Sequence, residues 1–328
     1  MFKALVLEQQ EKKTLSSIKQ LDVSDLPDGD VLVDVDYSSL NFKDGLAITG
    51  KGKIIRNFPM VPGIDFAGTV AHCETDTFKA GDKVILTGWG VGENHWGGMA
   101  GKARVKASQL VKMPEGLDSQ KAMAIGTAGL TAMLCVMALE DAGVKPEDGE
   151  ILVTGASGGV GSVAVNLLAK LDYKVVAVSG REQNTPLLES LGASRVLPRS
   201  QFTEKGRPLD KQFWAGAVDT VGSQLLANVL SQVNYGGTVA ACGLAGGFDL
   251  PTTVMPFILR GVNLQGVDSV MCPLERRTAA WNRLVELVPA SYYEQATRVV
   301  SLEEVAEQAE AITNGQVTGR VLVKIIGT

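Results

Sequence analysis

The sequence predicts an α/β protein in which a doubly wound parallel sheet domain is joined to a second, β-rich domain. From about residue 150 onwards, apolar strand-like runs alternate with helical runs, and the first pair encloses a glycine-dense turn. Strands that alternate with helical crossovers are typical of a parallel sheet with helices on both faces. The first 120 residues show short strands bounded by turns instead, which indicates a separate domain.

The N-terminal part carries the pattern of a compact β domain. Val31–Tyr37 alternates apolar and polar residues, as a half-exposed strand does. Val61–Val70 and Gly81–Leu86 are predicted as short strands between turns. We therefore expect a small, mainly β domain in this part of the chain.

The C-terminal part is expected to complete that domain. Leu302–Ile312 has the pattern of an amphipathic helix, and Gly319–Lys324 that of a final strand. We predict a β-rich domain from residues 1–123 and 271–328, with residues 124–270 inserted as the parallel-sheet domain.

The inserted part contains six strand-like runs, and helical runs connect them. We expect strands at Ile151–Thr154, Lys174–Ser179, Ser194–Leu197, Gly216–Val221, Gly237–Cys242 and Asn263–Val267. We expect helices at Ser162–Lys170, Pro186–Leu191, Gln224–Leu230 and Met255–Arg260. Such an order implies a doubly wound parallel sheet.

The glycine-dense turn between the first strand and the first helix predicts a pyrophosphate site. A helix N-terminus beside free backbone N–H groups favours anions. Gly155 permits the tight turn, and Gly161 lets the helix pack closely on the strand. The phosphate contacts are assigned to Ser157, Gly158, Gly159, Val160 and Gly161.

The end of the second strand indicates which dinucleotide is bound. NAD-binding domains usually carry Asp or Glu there, to bond the ribose 2′-hydroxyl. This chain has Ser179, Gly180 and Arg181 instead. A hydroxyl and a guanidinium favour a 2′-phosphate, which a carboxylate would repel. We therefore predict NADPH; the alternative is that Arg181 only begins a solvated helix.

Composition excludes several partners. The net charge is −5, so the sequence predicts no basic face that would bind nucleic acid. The sequence also lacks a run of Lys and Arg that would indicate binding to a membrane surface. Ala122–Leu139 and Ile151–Ala169 are uncharged for about the length of a membrane span. Both are rich in small residues, so we expect them to be buried. With no signal-peptide core at the N-terminus, a cytoplasmic location is predicted.

The cysteines and histidines predict no metal site. Cys73, Cys135, Cys242 and Cys272 are scattered without a Cys-x-x-Cys pair, and the histidines are His72 and His95. Zinc ligands cluster at characteristic spacings, and neighbours such as His72 and Cys73 point to opposite faces of a strand.

Motifs along essentially the whole chain together identify a family. They are Ser39–Asp44, Gly50–Pro59, Pro62–Gly68, Thr87–Gly98, the glycine turn, Ser179–Arg181, Ala241–Gly247 and Leu264–Ser269. With them the chain resembles zinc-free medium-chain dehydrogenases/reductases, in the quinone-oxidoreductase-like branch that contains acrylyl-CoA reductases. Zinc members place Gly-His-Glu where this chain has Gly63-Ile64-Asp65. The resemblance implies a Rossmann-type nucleotide domain and a GroES-like catalytic domain.

The resemblance also implies further cofactor contacts. Arg199 would join Ser179 and Arg181 around the adenosine phosphate. Leu244 and Ile258 would line the dinucleotide groove, and Ser269 and Asn314 would lie near the nicotinamide half. Phe42 stands where close relatives have Tyr; its ring could still pack on the nicotinamide, but without the hydroxyl.

The reaction that the resemblance implies is hydride transfer from NADPH to the β-carbon of acrylyl-CoA, giving propionyl-CoA. Asn41 is the candidate for bonding an oxyanion or orienting the nicotinamide; the alternative is a turn residue. Asp44 is a second candidate, with a helix cap as the alternative. Thr127 could pack near the nicotinamide or cap a helix. Water could supply the α-proton, so no general acid is named.

Other assignments complete the sequence predictions. Lys51, Lys53 and Arg56 could contact the phosphates of coenzyme A, the alternative being a solvated charged loop. Reduction of quinones or small enones is the alternative activity, and a non-catalytic NADPH-binding sensor or structural protein the alternative of another class. The strand Asn263–Val267 is expected to end the sheet and pair with a second copy in a homodimer.

Overall fold

The computed structural model describes residues 1–325, which form two compact units. The β-rich unit comprises Met1–Thr127, Ser269–Val285 and the described residues from Thr297 onwards. The parallel-sheet unit comprises Ala128–Asp268 and Glu286–Ala296.

Residues 286–296 belong to the parallel-sheet unit, although they lie within the range 271–328 that the sequence predicts as part of the β-rich domain. Residues 286–296 cluster with the parallel-sheet unit because Tyr292 is buried there, with its hydroxyl 3.2 Å from Ser162 Oγ. The other boundaries fall at 127/128 and 268/269, where the sequence predicts 123/124 and 270/271.

The strands and helices have the following bounds. The strands are β1 Phe2–Gln10, β2 Lys13–Leu21, β3 Val31–Leu40, β4 Asp65–Cys73, β5 Lys83–Thr87, β6 Lys102–Val105, β7 Leu110–Lys112, β8 Glu150–Val153, β9 Lys174–Ser179, β10 Ala193–Pro198, β11 Trp214–Asp219, β12 Val233–Ala241, β13 Asn263–Gly266, β14 Thr297–Ser301 and β15 Arg320–Lys324. The helices are α1 Phe42–Thr49, α2 Ser119–Asp141, α3 Gly159–Lys170, α4 Thr185–Ser190, α5 Ser223–Gln232, α6 Met255–Arg260, α7 Leu274–Leu287, α8 Ala290–Gln295 and α9 Val305–Thr313.

The β-rich unit is built on a sheet in the order β14-β15-β3-β4-β5-β7, with β6 also paired to β3. Alternate residues of β3 and β4 enter its core, where Val33, Phe66, Leu86 and Val321 are fully or almost fully buried. β1 and β2 form a separate antiparallel hairpin. The long central strand β3 therefore sets the position of the residues that follow it in α1.

The parallel-sheet unit confirms the predicted doubly wound sheet. Its strands run in the order β10-β9-β8-β11-β12-β13, and all neighbouring pairs are parallel. The first strand of the unit, β8, lies beside β11, so the chain changes direction of winding between them. In such sheets ligands bind outside the carboxyl ends of the strands at this switch point. β13 ends the sheet, as predicted.

Helix α9 begins later than the sequence predicts. Residues Leu302–Glu304 form a 3₁₀ turn, and the α-helix starts at Val305. The Ser301 backbone N–H donates to the Glu304 carboxylate at 2.7 Å, which closes a capping box at the turn. The predicted final strand is present as β15.

Helix α2 is long and apolar enough, by length and composition, to span a membrane. Its most apolar 18-residue window is 94% buried within the protein, as in the core helix of a globular fold. The helix is kinked at Gly126, whose backbone has φ 53° and ψ −159°. Only glycine adopts this conformation without strain.

Candidate functional site

The glycine turn joins β8 to α3 and requires glycine at two positions. Gly155 has φ +56°, in the left-handed region that glycine tolerates. A Cβ atom on Gly161 would lie 2.3 Å from the Gly155 carbonyl oxygen and 2.6 Å from Ala156 Cα. Both are backbone atoms that cannot move aside, so the helix packs against the turn only without a side chain.

The start of α3 offers backbone groups to an anion. Gly158 is the N-cap of this 12-residue helix, and the cap has no side-chain bond. Ser157, Gly158, Gly159 and Val160 are all partly exposed, so a ligand can approach their main chain. An exposed helix N-terminus after a glycine turn is a pyrophosphate site by its N–H groups and dipole.

Asp219 ties together the loops at the switch point. Thr154 Oγ1 donates to one Asp219 carboxylate oxygen at 2.7 Å, and the Gly222 N–H donates to the other at 2.8 Å. The Thr220 N–H in turn donates to Thr154 Oγ1 at 3.0 Å. Burial raises the pKa of Asp219. Sequence reasoning missed this residue, although an acidic residue that ends a fully apolar strand could have indicated it.

The loop Ala241–Gly247 packs on the loop after β11. A Cβ on Gly243 would be 2.3 Å from the Thr220 carbonyl oxygen, and a Cβ on Gly222 would be 2.6 Å from the Gly247 carbonyl oxygen. The predicted groove residue Leu244 follows in this loop and is exposed, as is Ile258 on α6. Both side chains are therefore accessible to a ligand.

The ribose end of the predicted site holds two arginines. Parallel pairing of β10 with β9 sets Pro198 opposite Ser179 and brings Arg199 against Gly180. A Cβ on Gly180 would lie 2.9 Å from Arg199 Cζ, so the guanidinium packs directly on the glycine backbone. Arg199 is exposed and Arg181 half-exposed. This arrangement fits a phosphate on the ribose.

Ser179, predicted to lie at the adenosine phosphate, makes a local contact in the turn after β9. Its side chain is buried, and its Oγ donates to the Arg181 carbonyl oxygen at 3.1 Å while accepting the Arg181 N–H at 3.3 Å. The hydroxyl therefore shapes the turn that presents Arg181.

The β-rich unit contains a buried polar cluster around Asp65 on β4. The Asp65 carboxylate is fully buried and accepts hydrogen bonds from Ser39, Asn41 and Thr127. Ser39 contributes both its N–H, at 3.1 Å, and its Oγ, at 2.6 Å. Asn41 Nδ2 donates at 2.9 Å and the Thr127 N–H at 2.8 Å. Four donors thus satisfy a charge that is closed to water.

Arg320 on β15 faces Asp65 through two of these side chains. Its Nη1 donates to Asn41 Oδ1 at 3.1 Å, and its Nη2 donates to Ser39 Oγ at 2.7 Å. Its Nε donates to the Ala124 carbonyl oxygen at 3.1 Å. The serine and asparagine therefore bridge a buried carboxylate and a buried guanidinium. Sequence reasoning did not single out Arg320.

The kink of α2 lies on this cluster. A Cβ on Gly126 would be 2.5 Å from Arg320 Nη2 and 2.9 Å from both Asp65 Oδ2 and Ser39 Oγ. The broken helix turns the carbonyl of Ala124 towards Arg320 and the N–H of Thr127 towards Asp65. Glycine at position 126 is required by both its conformation and its neighbours.

Asp44 acts as a cap and a loop clamp. One carboxylate oxygen accepts the N–H of Asn41, the N-cap of α1, at 2.9 Å. The other accepts the N–H groups of Gly63 and Ile64 at 3.1 and 3.0 Å. The alternative of a helix cap therefore describes its contacts. Burial, and then the nearby Asp65 charge, raise the pKa of Asp44 to about 7.

Two other predicted residues meet each other at α9. Lys51 Nζ donates to Glu310 at 2.7 Å, to Thr313 Oγ1 at 3.0 Å and to Asn314 Oδ1 at 3.1 Å. Lys51 and Asn314 are therefore hydrogen-bonded to each other. The sequence analysis assigns Lys51 to the coenzyme A phosphates and Asn314 to the nicotinamide half of the cofactor. Lys53 and Arg56 are exposed.

The remaining predicted residues lie in two places of the β-rich unit. Phe42 is the first residue of α1 and is half-exposed. Ser269 is buried, and its carbonyl oxygen accepts Arg277 Nη2 at 3.0 Å. The fully buried Arg277, which the sequence did not indicate, also donates to Thr87 and lies 4.8 Å from the centre of the Trp89 ring.

Two family models and two curated proteins match this chain over long stretches. Residues 27–115 match the family model "Alcohol dehydrogenase GroES-like domain", and residues 159–288 match "Zinc-binding dehydrogenase". The chain is 70% identical to the probable acrylyl-CoA reductase AcuI of Escherichia coli K12, over 98% of this chain and 99% of that protein. It is 53% identical to the acrylyl-CoA reductase AcuI of Ruegeria pomeroyi, over 99% of both chains.

A solved structure is similar over the whole fold. The crystal structure of Escherichia coli K-12 YhdH with bound NADPH superposes with a TM-score of 0.97, at 70% identity, over 98% of this chain and 99% of that one.

The residues present do not fit the zinc ion that the name of the second family model implies. Within residues 1–325, no three His, Cys, Asp or Glu side chains come together in a way that could hold a metal. The Asp65 carboxylate is already occupied by four donors, and the residue before it is the apolar Ile64.

The raised pKa of Asp44 predicts a pH-dependent stability. Because this pKa is about 7 in the folded chain against an ordinary value of 3.8, the folded state keeps a proton that the unfolded state loses. The contribution of Asp44 to the free energy of unfolding is then complete below about pH 4 and is lost as the pH rises to about 7. Urea titrations of the wild type and Asp44→Asn measure it.

We expect the wild-type free energy of unfolding, relative to that of Asp44→Asn, to fall between pH 4 and pH 7 by up to about 1.4 kcal/mol per pH unit. Above pH 7 the difference should be constant. Asp28→Asn, which changes an exposed carboxylate of the same unit, is the matched control. A difference that stays level or rises over this range contradicts the prediction.

Proposed function

Because the chain belongs to the medium-chain dehydrogenase/reductase family, we propose that it is an NADPH-dependent oxidoreductase that reduces the carbon–carbon double bond of acrylyl-CoA to give propionyl-CoA. The observation that carries the proposal is the similarity, over 98–99% of the chain, to a probable acrylyl-CoA reductase and to a second acrylyl-CoA reductase. We place the activity in the cytoplasm, as the sequence predicts.

The parallel-sheet unit fits NADPH. The turn from Ser157 to Gly161 binds the pyrophosphate with backbone N–H groups, and the partly exposed Gly158 and Gly159 leave the main chain accessible to it. Arg181 and Arg199 bind the 2′-phosphate as charge-assisted donors. Leu244 and Ile258 line the groove with exposed apolar surface. When bound, NADPH supplies the hydride for the reaction.

The β-rich unit supplies the polar group for the acceptor. As the β-carbon of the acrylyl group gains a hydride, negative charge develops on the thioester oxygen. We propose that Asn41 Nδ2 donates a hydrogen bond to that oxygen, because a preorganised donor stabilises developing charge. The α-carbon then takes a proton, which water supplies. This chemistry needs no metal.

Asp44 and Thr127 act through neighbours. Asp44 holds the N–H of Asn41, and the Thr127 N–H holds Asp65, so both fix the segment that carries Asn41. We propose that Phe42 packs on the nicotinamide, with Ser269 near it. Lys53 and Arg56 are proposed to meet the coenzyme A phosphates, whereas Lys51 and Asn314 are engaged with each other.

The first test follows NADPH absorbance after mixing purified protein with acrylyl-CoA. We expect fast oxidation of NADPH, at least about tenfold slower oxidation of NADH because a charge-assisted contact to the 2′-phosphate is missing, and little turnover with a simple quinone. The KM for acrylyl-CoA should rise with salt and in a Lys53→Ala/Arg56→Ala variant, because screening weakens exposed charge contacts.

The outcomes of this assay separate the alternatives. Turnover with the quinone alone would support the assigned fold and cofactor, but it would show that the substrate is a quinone and not acrylyl-CoA. NADPH binding without oxidation across acrylyl-CoA, quinones and enones favours a non-catalytic NADPH-binding protein. A KM that does not respond to salt or to the double substitution removes Lys53 and Arg56 from the substrate site.

Gly180 gives a sharper test of cofactor choice. In Gly180→Ala the new Cβ displaces the Arg199 guanidinium from its place on the glycine backbone. We expect the Kd for NADPH to rise about tenfold, the value of one charge-assisted hydrogen bond. The Kd for NADH, measured in parallel by fluorescence titration, should not change. An equal loss for both dinucleotides contradicts this role of Arg199.

We also propose a homodimer formed through β13. This strand ends the sheet, so one edge of its backbone has no neighbouring strand in the described chain. Phe248 and Leu259 of the same unit are exposed apolar residues. A free strand edge and exposed apolar surface favour association of two copies.

Sedimentation measures the assembly directly. At micromolar concentration we expect one species of twice the chain mass of 34.6 kDa. A single 34.6 kDa species would refute the dimer.

A further inference from the structure

Arg320 contacts the functional amide that the proposed reaction uses. The residue is 2% exposed, and its guanidinium donates to Asn41 Oδ1 at 3.1 Å. The other end of that amide, Nδ2, donates to Asp65 at 2.9 Å. The Asn41 side chain is thus held at both ends by buried charged groups from two different strands.

These partners fix the orientation of the amide without ambiguity. A guanidinium can only donate hydrogen bonds, and an ionised carboxylate can only accept them. A flip of the Asn41 amide would place its NH₂ against Arg320 and its oxygen against Asp65. Both contacts would then be repulsive, and Asp65 and Arg320 are buried, where an unsatisfied polar group is costly.

We propose that Arg320 is a positioning residue that sets Asn41 as a hydrogen-bond donor to the substrate oxygen. The proposal rests on the proposed function, in which that oxygen becomes negatively charged. One Nδ2 hydrogen is used by Asp65. The second has only long contacts with Ser39, at 3.3 Å to Oγ and 3.4 Å to the carbonyl oxygen, and is the one that serves the substrate.

The shape of arginine explains why this residue type occupies the position. Its planar fork donates in three directions: Nη1 to Asn41, Nη2 to Ser39 and Nε to the Ala124 carbonyl oxygen. The contacts to Ser39 and α2 hold the guanidinium in place while Nη1 selects the amide oxygen. A lysine at this position keeps the charge but offers one nitrogen, which cannot make all three bonds.

A purely structural role for Arg320 makes a different prediction. If the arginine only anchors the kinked α2, its replacement lowers stability and leaves the turnover of the folded fraction unchanged. If it sets the donor end of Asn41, its replacement lowers kcat with little effect on cofactor binding, since the glycine turn and Arg199 belong to the parallel-sheet unit.

The experiment compares Arg320→Lys, Asn41→Ala and the double variant, with NADPH and saturating acrylyl-CoA. We expect kcat to fall about 10- to 100-fold in Arg320→Lys and about 100-fold in Asn41→Ala, the scale of a lost oxyanion donor. The Kd for NADPH should stay within about twofold. In the double variant kcat should be no lower than in Asn41→Ala, because Arg320 acts through Asn41. Arg298→Lys on β14, an exposed arginine of the same unit, is the matched control.

Two results would overturn the proposal: a wild-type kcat in folded Arg320→Lys, or losses that simply multiply in the double variant. Absence of wild-type turnover with acrylyl-CoA contradicts the proposed function instead. In that event, or if Arg320→Lys does not fold, the wild-type Asn41 side-chain amide is observed by NMR with ¹⁵N-labelled asparagine and assigned by its absence in Asn41→Asp. A held amide gives one proton resonance that Asp65 shifts well downfield and that exchanges slowly with water; two resonances at the positions and exchange rates of a solvated asparagine overturn the proposal.

Discussion

The carboxylate of Asp65 is the constraint on which the β-rich unit depends. A buried charge must be paired or fully hydrogen-bonded, and the donors come from β3, from the start of α1 and from α2. The requirement explains why α2 is broken at Gly126: an unbroken helix would use the Thr127 N–H internally and leave Asp65 one donor short. Satisfying one side chain therefore positions three segments at once.

Asp44 extends the same constraint to the neighbouring loop. Its carboxylate collects the N–H groups of Asn41, Gly63 and Ile64, so the loop before β4 and the start of α1 cannot move independently. Burial, and then the nearby Asp65 charge, raise the pKa of Asp44, because two ionised carboxyl groups are costly to keep together in the interior. The two buried carboxyl groups lower the stability of the folded state, and their hydrogen bonds fix the position of Asn41. Such a loss of stability is common at functional sites.

Features carried by neighbouring residues could be predicted from the sequence, and those carried by distant ones could not. The doubly wound sheet follows from local alternation of strands and helices, and the phosphate turn from glycines within one segment. Arg320 and Asn41 are 279 positions apart, and no periodicity relates them. The contact of Lys51 with Asn314 was not foreseen for the same reason, since each was interpreted by motif without its partner. The start of α9 was missed because local capping by Ser301 and Glu304 favours a 3₁₀ turn there.

Each unit contains a buried aspartate that fixes the loops around it. The two aspartates accept hydrogen bonds from different donors, and the groups that they position therefore differ in function. Asp219 accepts Thr154 and Gly222 and so fixes turns whose remaining N–H groups attract an anion. Asp65 accepts Asn41, whose other end is held by Arg320, and so fixes a single neutral donor. A neutral donor held by charges can stabilise an oxyanion without itself changing protonation state. For a reaction in which hydride adds to a conjugated thioester, that arrangement gives a polarising contact that does not depend on a metal ion.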